Sequence, residues 1–289
     1  MPRFGIHLSI SDGFESTARR AVELGCDAVQ MFSRSPRTLR SKPILEEDGL
    51  AFRDAVGAAR LAPIVIHTNY LINVASPEDE TYERSVAALA QELSRADILG
   101  AQYVVMHPGH HMGAGPAASG ERVARAIDRA YLETSASVRL CLENMSGSGT
   151  EVGSSFTELA HIVELADARG SIDMCFDTCH AFGAGYDVTS TAGIDALLDE
   201  LDRAVGIERL VVIHANDSKG ALGSHRDRHE HIGEGFIGFA GFRNLIVHPS
   251  LHDLPFILET PVDSPADQER DLAAIRSCAE PHTDEEEQD

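Results

Sequence analysis

The chain has 289 residues, of which 43% are apolar, and a formal net charge of −22 at pH 7. The length suits a single α/β domain of barrel size, about 250 residues, better than two separate domains. With 46 acidic residues against 24 lysines and arginines, the charge argues against broad, non-specific binding of polyanions, although bound metal ions could still create a local cationic site.

Eight short apolar runs recur along the chain, and the last six each end in a residue type that binds metal ions. The first two lie in MPRFGIHLSI and DAVQMF and predict the first two strands. Each later run has four to six residues, mainly Val, Ile, Leu, Phe or Met, which is typical of a strand buried on both faces. The final residues of these six runs are His67, His107, Glu143, Asp177, His214 and Glu259.

The segments between the runs predict eight helices. In TYERSVAALAQELSRADILG, the apolar residues from Tyr82 to Ala96 follow the spacing of one helix face, and Val123, Ile127 and Tyr131 follow the same spacing later. The other predicted helices lie at about 13–24, 46–60, 156–168, 191–204, 238–247 and 267–279.

Strands that alternate with helices predict an α/β fold, a single (β/α)8 TIM barrel over residues 1–280, followed by an acidic, disordered tail at 281–289. The sequence shows no cationic leader, no long apolar span and no Walker or GxGxxG loop. We therefore expect a cytoplasmic protein with no membrane segment and no nucleotide cofactor. The five cysteines form no CxxC pair and are interpreted as reduced thiols. Cys175 and Cys179, which flank Asp177, are interpreted as buried thiols and not as ligands.

Parallel strands joined by helices place every carboxyl end on one side of the sheet, so the six terminal residues should converge there. Two local pairs add candidates, because His180 follows Asp177 by three residues and His229 follows Asp227 by two. Such a set could hold two or three zinc ions if carboxylates bridge them. The nine candidate metal ligands are His67, His107, Glu143, Asp177, His180, His214, Asp227, His229 and Glu259.

Motifs from the first predicted strand to the last carry a family resemblance. The segment DTCHAFGAGYD at 177–187 is the most specific of them. The others are GIHLS (5–9), HTNYLIN (67–73), HPG (107–109), LEN (142–144), HANDSK (214–219), DRH (227–229), GEGFIG (233–238) and ILET (257–260). In these segments the chain resembles endonuclease IV, the zinc-dependent apurinic/apyrimidinic endonuclease family of DNA base-excision repair.

The resemblance implies an eight-stranded α/β barrel that holds three zinc ions. It implies hydrolysis of the phosphodiester 5′ to an abasic site, leaving a 3′-hydroxyl and a 5′-deoxyribose phosphate. Two metals would activate a bridging water, the third would stabilise the leaving 3′-oxygen, and Glu143 and Glu259 would act as catalytic carboxylates that orient the hydroxide. The implied ligand sets are His67, His107 and Glu143; Glu143, Asp177, His214 and Glu259; and His180, Asp227 and His229.

The resemblance also implies contacts with double-stranded DNA that contains an abasic site. Arg37 and Tyr70 would enter the helix at the lesion, because a damaged nucleotide must leave the base stack to reach buried metals. His7 is interpreted as a neighbour of the metal ligands, and Glu230 departs from the family pattern by adding negative charge beside His229. We expect a monomer. Four further histidines are interpreted as loop or phosphate contacts, namely His110, His111, His225 and His231.

Two alternative functions stay open at this point. A metal-dependent sugar isomerase or epimerase on the same type of barrel would use one or two metals at the strand ends, and it would not require His180, Asp227 and His229. A metal-stabilised binder of damaged DNA would have a closed metal site, with no ligand position left for water.

Overall fold

The computed structural model of the chain describes residues 2–280. The acidic tail predicted at 281–289 lies outside the described residues. Within residues 2–280, no helix is both long enough and apolar enough to cross a membrane.

Eight of the ten strands in the described residues are parallel and close into a barrel, which confirms the predicted TIM barrel. The strands are β1 (Arg3–Leu8), β2 (Ala28–Phe32), β3 (Ile64–His67), β4 (Tyr103–Met106), β5 (Arg139–Glu143), β6 (Ile172–Asp177), β7 (Leu210–His214), β8 (Asp217–Ser218), β9 (His229–Glu230) and β10 (Pro255–Leu258). Strands β8 and β9 form a separate antiparallel pair, and β10 closes the barrel between β7 and β1.

Nine α-helices lie within residues 2–280, one more than predicted. They are α1 (Phe14–Glu23), α2 (Glu46–Ala59), α3 (Asp79–Leu99), α4 (Pro116–Leu132), α5 (Phe156–Leu165), α6 (Thr178–Ala184), α7 (Thr191–Val205), α8 (Gly238–Val247) and α9 (Pro265–Ser277). The additional helix is α6, which starts directly after β6 because the Asp177 carboxylate accepts a hydrogen bond from the His180 backbone N–H (2.6 Å). The prediction of eight helices was wrong here because α6 has seven residues, too few to show a helical period.

Alternation along the strands explains why the candidate ligands point into the barrel mouth. Successive side chains of a strand point to opposite faces, so residues two apart share a face. A small cluster of side chains fills the barrel interior and consists of Val65, Val105, Cys141, Cys175, Val212 and Ile257. Two positions after these, in the same order, stand His67, His107, Glu143, Asp177, His214 and Glu259. On each of these strands, the series of side chains that point into the barrel therefore ends in a His, Asp or Glu.

A second and larger core lies between the strands and the surrounding helices. Its largest fully buried side chains include Phe52, Phe156, Phe176, Phe242 and Phe256. All five cysteines fall within the described residues, where each is buried and unpaired.

Candidate metal centre

Glu143 lies at the centre of the strand-end residues and faces four imidazoles. Its side chain is fully buried. The Oε2 atom lies 3.1 Å from His67 Nε2 and 3.2 Å from His107 Nε2. The Oε1 atom lies 3.2 Å from His214 Nδ1 and 3.2 Å from His180 Nδ1. The two oxygens of one carboxylate therefore contact two separate groups of histidines, which is an arrangement suited to a bridging ligand.

Asp227 joins two histidines on a second side of the site. Its Oδ1 atom lies 3.3 Å from His180 Nε2 and 3.3 Å from His229 Nε2. Asp177 lies behind this group, with Oδ2 3.8 Å from His229 Nε2. His229 belongs to β9, and the pairing of β9 with β8 brings this loop over the barrel mouth. The structure thus brings together His180 of α6 with Asp227 and His229, which lie almost 50 residues later in and beside β9.

Glu259 lies on a third side, between His214 and polar side chains of the first two strands. Its Oε2 atom is 3.4 Å from His214 Nδ1. Its Oε1 atom accepts a hydrogen bond from Gln30 Nε2 (2.6 Å) and lies 3.1 Å from His7 Nδ1. His7 therefore contacts a candidate ligand directly. The ligand-type atoms of His67, His214 and Glu259 lie within 4.8 Å of one another.

Four of the histidines use one ring nitrogen in a hydrogen bond outside the centre, which leaves the other nitrogen facing the carboxylates. The pairs are His67 Nδ1 with the Thr68 carbonyl (2.8 Å), His180 Nδ1 with the Asn144 carbonyl (2.9 Å), His229 Nδ1 with the Glu259 carbonyl (3.0 Å) and His214 Nε2 with Gln30 Oε1 (2.8 Å). In each pair the ring N–H donates and the oxygen accepts. This fixes the tautomer so that the lone pair of the second nitrogen can bind a cation.

The spacing of the ligand atoms fits divalent cations. Two ligands at about 2.0–2.1 Å from one tetrahedral zinc ion lie roughly 3.3 Å apart, and neighbouring atoms of this site are 3.1–3.4 Å apart. Apart from the Asp227 contact, the buried Nε2 atoms of His180 and His229 have no hydrogen-bond partner in residues 2–280. A bound cation would give each of these two nitrogens a partner. Imidazole nitrogen and carboxylate oxygen are ligand types that zinc takes, so these residues fit a zinc centre.

The electrostatics of the site also favour cations. Burial opposes a charge on His214, but the carboxylates of Glu259 and Glu143 outweigh it and raise the pKa of His214 to about 9. Burial likewise opposes a charge on His229, and Asp227 raises the pKa of His229 to about 9. Although burial raises it, the nearby imidazoles hold the pKa of Glu143 well below its usual range. The site is a negative pocket that stabilises positive charge.

Three amide side chains that the sequence analysis did not select orient the candidate ligands. Gln30, fully buried in β2, accepts a hydrogen bond from His214 Nε2 (2.8 Å). Asn144 accepts from the Asp177 backbone N–H (2.8 Å), and Asn216 donates to the Asp177 carboxylate (2.6 Å). A signal for Gln30 was present, because a polar residue interrupts the apolar run DAVQMF. Asn144 directly follows a candidate ligand in the sequence, and Asn216 follows His214 by two residues.

Tyr70 and Arg37 lie on neighbouring loops at the rim of the centre. The Tyr70 side chain is 61% exposed, and its ring packs edge-on against Phe32 with the centroids 6.1 Å apart. Arg37 is exposed on the loop that follows β2. A cleft of about 310 Å³ opens beside the candidate ligands and is lined by six of them together with His7, Phe32, Tyr70 and Thr260. Tyr70 therefore borders the space through which a ligand would reach the centre.

Three other ionisable residues near the barrel mouth, His225, His231 and Glu230, contact other groups of the protein. His231 Nδ1 lies 2.8 Å from Asp271 Oδ2, and His225 Nδ1 lies 3.1 Å from a backbone carbonyl. Both histidines therefore hold loops in place. Glu230, which adds negative charge beside the third ligand group, lies 3.6 Å from Lys219 Nζ. This lysine offsets part of that charge.

Comparisons with known proteins show which sequences and structures this chain resembles. A family described as xylose isomerase-like TIM barrel matches residues 18–278. A protein from Methanoculleus marisnigri named probable endonuclease 4 is 48% identical over 278 residues, which are 95% of this chain and 98% of that protein. The solved structure of endonuclease IV from Thermus thermophilus is 40% identical, covers 96% of this chain and 99% of its own, and has a TM-score of 0.85. A D-tagatose 3-epimerase-like protein shares the fold alone, with 19% identity, a TM-score of 0.72 and coverage of 96% of this chain and 97% of its own. Since the identity to endonuclease IV proteins extends over nearly the whole chain, this chain belongs to the endonuclease IV family.

Proposed function

We propose that this chain is a DNA-repair endonuclease that hydrolyses the phosphodiester 5′ to apurinic or apyrimidinic sites by means of three zinc ions. The observation that carries the proposal is the convergence of nine His, Asp and Glu side chains at the barrel mouth, with Glu143 at their centre. Membership of the family supports an endonuclease that acts on DNA. The products would be 3′-hydroxyl and 5′-deoxyribose phosphate ends. We expect the enzyme to act as a cytoplasmic monomer without a nucleotide cofactor.

The proposed ligand sets follow the contacts of the Glu143 and Asp227 carboxylates with the surrounding histidines. They are His67, His107 and Glu143; Glu143, Asp177, His214 and Glu259; and His180, Asp227 and His229. The ligand atoms of the first set, and those of the third, lie within 4.8 Å of one another, which supports both assignments. When bound, zinc would lower the pKa of a water and offset negative charge on the phosphoryl oxygens.

Glu259 would orient the attacking water. Gln30 and His7 hold its Oε1 atom at 2.6 and 3.1 Å, so Oε2 faces His214 and the centre. A carboxylate that is fixed at one oxygen can accept a hydrogen bond from water at the other and keep that water aligned for attack. The side chain is 17% exposed and lines the cleft, so a substrate can reach it.

Arg37 and Tyr70 would contact the duplex at the lesion. Glu143 and His214 are fully buried, so the damaged nucleotide must leave the base stack to bring its phosphate to them. Tyr70 borders the cleft with an exposed ring, which could fill the gap that the nucleotide leaves. The Arg37 guanidinium would contribute a positive charge for a phosphate.

A sugar isomerase or epimerase on the same barrel is the main alternative, and the fold alone admits it. The ligand group of His180, Asp227 and His229, with contacts of 3.3 Å, would have no role in an enzyme that needs one or two metals. A binder without activity would need a closed site, whereas the cleft beside Glu259 leaves space for water and a phosphodiester. These observations favour the endonuclease.

A duplex with one abasic-site analogue tests the proposal. Dialysed protein is incubated with it without added metal, and the products are separated at single-nucleotide resolution beside an intact duplex of the same sequence. Cleavage directly 5′ to the analogue, leaving an end that a DNA polymerase extends, supports the proposal. Conversion of a ketose together with an uncut lesion duplex would overturn it.

A further inference from the structure

The loop between β2 and α2, residues 33–45, has no helix or strand of its own, yet buried side chains hold its backbone. Arg95 of α3 donates hydrogen bonds to the carbonyls of Ser33 and Lys42, the latter at 2.8 Å. These two carbonyls lie near the two ends of the loop. The segment that carries Arg37 is therefore fixed at both ends against one helix.

A buried ion pair reinforces this attachment. Arg34 Nε lies 2.6 Å from Glu92 Oε1, and both side chains are 1% exposed. The Ser33 hydroxyl donates to the same carboxylate, and Arg34 Nη1 donates to the Leu39 carbonyl (2.8 Å). These contacts attach a buried arginine of the loop to α3, and they tie the Leu39 carbonyl to the same side chain. The buried ion pair therefore restrains the loop against this helix.

Asn69 connects this loop to the next one. Its side chain is 1% exposed, and Nδ2 donates to the carbonyls of Ser35 (3.0 Å) and Thr38 (3.1 Å). Its Oδ1 atom accepts from the Leu71 backbone N–H (2.7 Å), which turns the chain around Tyr70. One amide thus binds the backbone on both sides of Arg37 and the backbone next to Tyr70.

We infer that Asn69 is a positioning residue that joins the loops of Arg37 and Tyr70 into one preorganised surface for DNA. The inference rests on the proposed function, because only a DNA substrate gives these two exposed side chains a common task. Loops that are ordered before binding avoid the entropy cost of becoming ordered on the duplex. Without Asn69, the Ser35 and Thr38 carbonyls lose the hydrogen bonds that tie them to the neighbouring loop, and the two loops can move independently.

Asn69→Ala tests this in steady-state cleavage of the lesion duplex. We expect KM to rise about tenfold, in line with the loss of two part-buried hydrogen bonds, with kcat within about threefold and the zinc content unchanged. Asn244→Ala is the matched control, because the Asn244 amide also donates to a backbone carbonyl, that of Thr189 (2.8 Å). It should leave KM unchanged. A KM for Asn69→Ala equal to that of the parent would overturn the inference.

A double substitution adds a readout that a general loss of stability would not give. In the Asn69→Ala background, the further change Arg37→Ala should weaken binding less than it does in the parent, because the guanidinium is no longer held in place. Equal effects of Arg37→Ala in the two backgrounds would contradict a positioning role for Asn69.

Trypsin cleavage tests the inference without DNA. Arg37 and Arg40 are exposed arginines of the loop, and Arg60 is an exposed arginine outside it. Asn69→Ala should accelerate cleavage at the loop sites several-fold relative to cleavage after Arg60, since proteases need a locally mobile chain. An unchanged ratio would contradict the inference.

Asn69→Asp is a second variant that preserves side-chain size. It keeps an acceptor for the Leu71 N–H and lacks both N–H donors, so it should show the same rise in KM and in loop cleavage. If Asn69→Asp has the KM and the rate of loop cleavage of the parent, the inference is overturned. A parent chain that leaves the lesion duplex uncut contradicts the proposed function, whereas the trypsin result still decides whether Asn69 fixes the loops.

Discussion

Replacing Glu259 by Gln removes the charge of this side chain and keeps its volume. In the native structure Oε1 accepts from Gln30 Nε2 (2.6 Å), and Oε2 lies 3.4 Å from His214 Nδ1. An amide offers one oxygen and one NH2 group. If its oxygen stays at Gln30, the NH2 group faces the metal centre, where it cannot act as a ligand. If the amide turns over, two N–H donors oppose each other at Gln30.

The size of the effect follows from the proposed role of this group. A positioned side chain that takes part in proton transfer contributes about 10²–10⁴-fold to a rate. We therefore expect Glu259→Gln to lower kcat on the lesion duplex by about 10²–10⁴-fold. Binding of the duplex should change by less than about threefold, because the contacts of Arg37 and Tyr70 are untouched.

Single-turnover cleavage measures the chemical step, and fluorescence anisotropy of a labelled lesion duplex measures binding. Glu121→Gln is the matched control, since the Glu121 side chain lies on α4 and is 57% exposed; it should cleave at the parental rate. Cleavage by Glu259→Gln at nearly the parental rate would show that this carboxylate does not orient the water. An equal loss in Glu121→Gln would refute the role assigned to the site.

His229→Ala should lower the zinc content of dialysed protein by about one ion per chain with little change in melting temperature, because a loop ligand lies outside the barrel core; an unchanged count in elemental analysis would contradict the third ligand set. The initial cleavage rate should fall only weakly with KCl, or pass through a maximum above about 0.15 M, because salt screens the repulsion between DNA and a chain of net charge −22 while it weakens phosphate contacts. A steep fall from low salt would show that a local cationic surface governs binding. Burial raises the pKa of Cys26 to about 11, so about one thiol in a thousand is ionised at pH 8 and labelling by a thiol reagent should accelerate with each pH unit up to that value. Rapid labelling of folded protein at pH 7 would contradict the buried thiol.

The barrel and its strand-end residues could be predicted because both follow from local patterns. The run that ends at His67 is buried on both faces, and Val65 shares the interior face with that histidine. Parallel topology then brings the ends of distant strands together. The contacts of Glu143 with His67 and His214, which are 76 and 71 residues away, are the result.

The supporting side chains could not be predicted in the same way, because their roles depend on tertiary neighbours. Gln30 bonds His214 across 184 residues and Glu259 across 229, and no local pattern links such positions. Helix α6 was missed because its cap, Asp177, was interpreted only as a ligand, whereas the same carboxylate also accepts the His180 backbone N–H. The sequence therefore indicated Asp177 as a ligand and did not reveal that the same carboxylate also begins a helix.

Anomalous diffraction at the zinc absorption edge tests the trinuclear centre most directly. Crystals of dialysed protein, measured on both sides of the edge, give difference peaks only where zinc is bound. We predict three peaks per chain, one beside Glu143 and His67, one beside Glu259 and one beside Asp227. A single peak, or peaks away from these residues, would contradict a metal centre built from the nine side chains.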